Sequence, residues 1–257
     1  MPPRRAEELP SILAPVDERV ALLEPMAQAG RTDAMLALGH ALLDCRLVGT
    51  MDDDAIRDHY IDLLLEQQQG MPDVINDDRL KTMAQGIVDR TIKLRNGCAR
   101  LREIGDDAWL EWIERAAQAG DVQAIVDYVT LVVGAESFDG AALAASPGEI
   151  TERRSHGSAY LQSALQRGDC MVLPLIAQAY SLGPSGELAV DFPADPVKSY
   201  AFLVAAQLWM EHMAPQSIDA DWQASAGEAA AALAPMERAD AQTQGESIYA
   251  RYCRGRP

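Results

Sequence analysis

Four histidines, four cysteines and 39 acidic side chains are the groups in this 257-residue chain that could do chemistry. Acid–base work needs a positioned imidazole or carboxylate, and metal binding needs ligands at short, regular spacing. His40 follows Gly39 inside an apolar helical pattern and reads as a packed or half-exposed helix residue. His59 precedes Asp62 by three residues, which puts both on one helix face as a solvated pair rather than a metal site. His156 lies in the polar stretch RRSHGS, and His212 follows Glu211 near a predicted helix end, where a cation suits the dipole. Cys45, Cys98, Cys170 and Cys253 show neither CxxC nor His-paired spacing. GxSxG, HExxH, GxxxxGK(S/T) and GxGxxG patterns are absent, and DDDAIRDHYID lacks the central glycine and final Glu of a calcium loop. The expectation is therefore no catalytic, cofactor-binding or metal-binding residue, no cofactor and no enzyme. The alternative is an enzyme with an unrecognised carboxylate pair in a cleft, marked by convergent acids of raised pKa.

The elements that hold these residues are legible from a repeated pattern. LLEPMAQAGRTDAMLAL, WIERAAQAGDVQAIVDY and YLQSALQRGDCMVLPLI align on Gly30, Gly120 and Gly168. Leu22, Trp112 and Tyr160 stand eight residues before the glycine, and Met26, Ala116 and Ala164 four before. Ala34, Ala124 and Val172 follow at plus four, Leu38, Tyr128 and Ile176 at plus eight, and Leu42, Val132 and Tyr180 at plus twelve. Each set recurs at helical spacing, so each segment predicts two amphipathic helices joined at the glycine, which alone adopts the left-handed turn without cost. One hairpin cannot bury both its faces, so stacked neighbours are required. The fold expected is all-α: a right-handed α-solenoid of stacked antiparallel helix hairpins, with an irregular helical insert and a C-terminal capping helix pair.

Along the chain, residues 1–15 read as a frayed start and 16–133 as N-terminal repeats with a diverged insert at about 46–105. Helices are expected at Asp53–Gln69 and Asp78–Asn96 within that insert. Pro25 should kink the first helix or delay its start. The Ala/Gly/Ser-rich stretch 134–148 reads as an exposed connection and the hinge of the chain, either within one solenoid or between two lobes. Residues 149–257 then supply a hairpin, a helix opened by Asp195 and Pro196, and two Ala-rich capping helices meeting near Pro235.

From Gly168 onward the residues Gly168-Asp169, Ile176, Ala179, Tyr180, Gly183, Asp195, Lys198, Tyr200, Phe202 and Ala205-Ala206 resemble the Sel-like repeat, a tetratricopeptide-related hairpin with a Tyr-x-x-Gly turn before an Asp-x-x-Lys start. The Gly30 and Gly120 copies are similar in their hairpin core only. The resemblance implies a protein-binding scaffold, often an adaptor in bacterial signalling, envelope or host-interaction processes, and it carries over no catalytic residues.

A formal charge of -17 repels phosphate backbones and anionic lipids, so nucleic acid is not an expected partner. No apolar run approaches a membrane span. The partner expected is a protein or peptide in a concave helical groove, with a regulatory or inhibitory role as a narrower version and a structural homo-oligomer as another alternative. Trp109, Trp209 and Trp222 lie off the main stripe and are candidate partner anchors. Cys45 closes a repeat helix and Cys98 follows the insert, so a bridge between them would staple it; otherwise all four cysteines are buried thiols. Cys170 and Cys253 rank lower as a pair. MPPRRAEELPSI has no apolar core of a secretory signal, so the chain reads as cytoplasmic as written, or periplasmic if a leader was removed and the cysteines are bridged.

Overall fold

The computed structural model describes residues 8–49, 51–60, 77–101, 105, 107–133, 147–183, 191–213 and 220–255. Among them are eleven α-helices and no strand. The chain divides into two units, Met1–Arg115 and Ala116–Pro257. The division falls near residue 115; of the connection expected at 134–148, residues 134–146 lie outside the described ones.

The first unit is built on α1 (Val16–Gln28) and α2 (Thr32–Gly49). The first helix starts at Val16 and includes Pro25 in its last turn, so its start is not delayed. A short helix α3 occupies Asp53–Tyr60, opened by Asp52, whose Oδ1 accepts from the Ala55 amide at 2.8 Å. The remainder of the helix expected to Gln69 lies outside the described residues. Helix α4 (Asp77–Cys98) packs on both α1 and α2, bringing Leu94, Cys98 and Leu101 onto the cluster of Val16, Ala41 and Cys45. Helix α5 (Ala108–Gln118) meets α2 at Gly39, where an added Cβ would stand 2.7 Å from Ile113 Cγ1 and 3.1 Å from the Trp109 carbonyl.

In the second unit, α6 (Val122–Asp127) passes into a π-helical turn over Tyr128–Val133. Both pack on α7 (Pro147–Arg167). A 3-10 turn at Cys170–Val172 opens α8 (Leu173–Leu182), against which α9 (Pro196–Met213) lies. Helices α10 (Ala220–Ala231) and α11 (Pro235–Ile248) both pack on α9, and a second π turn, Tyr249–Cys253, ends the chain's described helices. At the α9–α11 crossing, a Cβ on Gly245 would stand 2.6 Å from the Ala201 carbonyl and 2.6 Å from Val204 Cβ. Only a glycine permits that approach.

All three turn glycines share one geometry. Gly30, Gly120 and Gly168 have φ of 91, 92 and 90°, in the left-handed region. Each glycine amide donates three residues back, to Ala27, Ala117 and Leu165, and the following amide donates five back, to Met26, Ala116 and Ala164. This pair of bonds is the Schellman closure, which satisfies carbonyls the helix leaves open.

The buried faces share a register too. Seven residues before the glycine, Leu23, Ile113 and Leu161 are fully buried, and at minus three so are Ala27, Ala117 and Leu165. At plus four, plus five and plus eight, Ala34, Met35 and Leu38 correspond to Ala124, Ile125 and Tyr128 and to Val172, Leu173 and Ile176, all buried. Each large side chain so enclosed contributes about 1.5–3 kcal/mol over an exposed one.

Candidate functional site

The minus-eight position departs from the stripe expected of it. Leu22 is 53% exposed, and Trp112 and Tyr160 are half-buried. A helix advances about 100° per residue. An arc bounded by minus four and minus three therefore centres on minus seven, and minus eight falls at its margin. An apolar side chain at that margin touches the core with one edge and solvent with the other. Exposed Glu18 and Glu24 share the helix of Leu22, and exposed Glu111 adjoins Trp112. The Arg115 guanidinium stacks on the Trp112 ring at 4.2 Å.

Tyr160 is held from below. Its ring meets the fully buried Tyr128 edge-on at 5.2 Å, and His156, one turn earlier on α7, lies 6.0 Å away in a tilted arrangement. The π turn starts at Tyr128, next to buried Asp127, whose Oδ1 accepts from Gln123 at 2.9 Å. Such turns concentrate at functional positions. The sequence shows Tyr128 as an ordinary stripe residue and offers no sign of the π turn.

The candidate anchors separate. Trp109 is 3% exposed and packs in the core of the first unit. Trp109, Ile113, Ala116 and Ala117 share the inward arc of α5, which places Trp112 and not Trp109 at the surface margin. Trp209 on α9 and Trp222 on α10 are both half-buried. Cys45 is joined to Cys98, with Cα atoms 5.4 Å apart, and the lower-ranked pair, Cys170 and Cys253, is joined as well.

Neighbouring hairpin turns are linked within the second unit. Arg167, one residue before Gly168, donates to the Gly120 carbonyl at 3.0 Å, and it also holds Asp169 and Ser163. The Tyr-x-x-Gly and Asp-x-x-Lys positions form a second lock. The Asp195 amide donates to the Tyr180 carbonyl at 2.8 Å, Asp195 Oδ1 caps α9 through the Lys198 amide, and the Lys198 ammonium lies over the Tyr180 ring. Phe202 stacks on the same ring and Phe192 meets it edge-on.

Among the described residues three carboxylates are perturbed. The hydrogen bonds from Arg100 hold Asp17 below its ordinary pKa, and those from Arg31 do the same for Asp33. Burial pushes Asp44 up, against the pull of Arg19 and His40. These three are scattered along the first hairpin and do not converge as an acid pair. His59 lies edge-on to Tyr60 at 5.3 Å, while the Asp62 expected beside it lies outside the described residues. Among the described residues no cluster of three or more His, Cys, Asp or Glu has the geometry to hold a metal, and no single helix is long and apolar enough to cross a membrane. Compared with protein-family models and with curated proteins, the chain matches none.

Proposed function

We propose that this protein is a non-catalytic interaction scaffold, a right-handed solenoid of the Sel-like kind, whose hairpins each offer one marginal apolar side chain to a protein or peptide partner. The observation that carries this reading is the minus-eight position. Leu22, Trp112 and Tyr160 occupy equivalent places before three equivalent turns, and all three are left partly open beside a buried residue at minus seven, Leu23, Ile113 or Leu161. A random exposed hydrophobe needs no explanation, whereas the same register left open three times supports a use. With -17 formal charges and glutamates beside two of the three positions, the partner chemistry favoured is a basic segment bearing apolar anchors.

The test is co-purification from the source cell followed by mass spectrometry, using the full chain and a Leu22→Ser, Trp112→Ala, Tyr160→Ser variant. Capture of a protein by the native chain and its loss from a variant that still melts cooperatively supports the scaffold. Equal capture by both chains, or turnover of a metabolite with no protein bound, overturns it.

A further inference from the structure

We propose that this protein matures through protein-dithiol oxidation and works in an oxidising compartment. All four of its cysteines are joined in pairs, leaving no free thiol. Four cysteines allow three connectivities. The structure selects the one in which both bonds stay inside a single unit, spanning 53 residues in the first and 83 in the second. Each bond fastens a segment outside the repeated hairpin core. Cys98 ends α4 and is tied to Cys45 on the second helix of the first hairpin, and Cys253 ends the last π turn and is tied to the 3-10 entry of the third.

Burial distinguishes this from a redox sensor. Sensor cysteines are accessible and poised as thiolates, whereas Cys45, Cys170 and Cys253 are all buried. Bonds of this placement serve structure, and structural disulfides persist where the thiol pool is oxidising. The reaction that must precede the mature protein is thiol–disulfide exchange. Each cysteine pair gives up two protons and two electrons and forms its S–S bond, while the disulfide of an oxidant protein breaks and becomes a dithiol.

The inference is independent of what the scaffold binds, and its experiment does not use a partner. Cells producing the full chain are quenched in acid, thiols are alkylated in denaturant without reductant, and the peptides are mapped. No alkylated cysteine, with Cys45 linked to Cys98 and Cys170 linked to Cys253, is the expected result. Four alkylated cysteines in protein trapped from its own cells, or crossed linkages, overturn the proposal. Reduced chain refolded without oxidant should also be digested at least about tenfold faster than oxidised chain. Equal digestion rates would contradict the assignment of these bonds as structural.

Discussion

Each unit fastens an outlying element with a disulfide, Cys45–Cys98 in the first and Cys170–Cys253 in the second, and the two differ in what accompanies that bond. In the first, α4 lies across a hairpin from which it has diverged in pattern, and its end is fixed by links between named pairs: the Cys45–Cys98 bond, Arg100 on Asp17 and Arg95 on Asp53. In the second, α11 lies on α9 through small residues, with Gly245 against Ala201 and Val204 and with Ala241 in the apolar cluster of Ala201 and Leu233. Close backbone approach gives dispersion contacts along a whole helix. In the first unit Gly97 on α4 makes one such approach, to Val16, and surface ion pairs accompany the covalent bond.

This contrast is sharpened first by removing the bonds. Replacing Cys45 and Cys98 together by serine should cost the first unit about 4 kcal/mol in the chain-entropy model, read from denaturant melts. Retention of full stability would mean that α4 is held by packing after all. Gly245→Ala should cost about 1–3 kcal/mol, because a backbone carbonyl and a β-branched side chain must retreat from the new methyl. The same change at Gly30, where nothing lies within 4 Å, meets only the left-handed backbone penalty of about 1–2 kcal/mol. An equal or larger loss at Gly30 than at Gly245 would sink the distinction between turn strain and close packing.

Smaller effects are electrostatic. The native state binds a proton on Asp44 more tightly than the unfolded chain does, so stability falls as pH rises from about the ordinary value of 3.8 through the raised native pKa, and the cost persists above it. Asp44→Asn should therefore raise Tm at neutral pH by about 1–2 °C and flatten that acid-side slope. Asp17 has the opposite sign. Its native pKa is depressed, so its contribution is present above the unfolded value of 3.8 and lost as pH falls through the native one. Arg100→Ala should give the least change of all, and one that disappears in high salt.

The helical class and the three turns were readable because a glycine between two apolar stripes has few other uses, and the shared closures at Gly30, Gly120 and Gly168 show the local chemistry behind the pattern. The phase of the buried arc was harder. Trp112 and Tyr160 are large and apolar, so the pattern drew the stripe through minus eight, while the smaller and more continuous Leu23, Ile113 and Leu161 set fill the core. Trp109, offered as a possible anchor, sits on that same inward arc and is buried. The π turn at Tyr128 has no local sequence signal, because one extra residue per turn is set by how α6 and α7 meet. The Cys45–Cys98 pairing was offered by the position of the two cysteines at either end of the insert, and Cys170–Cys253 only as a lower-ranked pair, because the third hairpin and the chain's last turn are 83 residues apart.

Oxidative footprinting of the two neighbouring tryptophans tests the scaffold account most directly, because Trp112 and Trp109 lie about one helical turn apart on α5 and differ in burial. In the free protein Trp112 should be modified readily and Trp109 hardly at all, and a captured partner should shield Trp112. Equal modification of both tryptophans in the free chain, or an unchanged rate at Trp112 in the complex, would contradict the account.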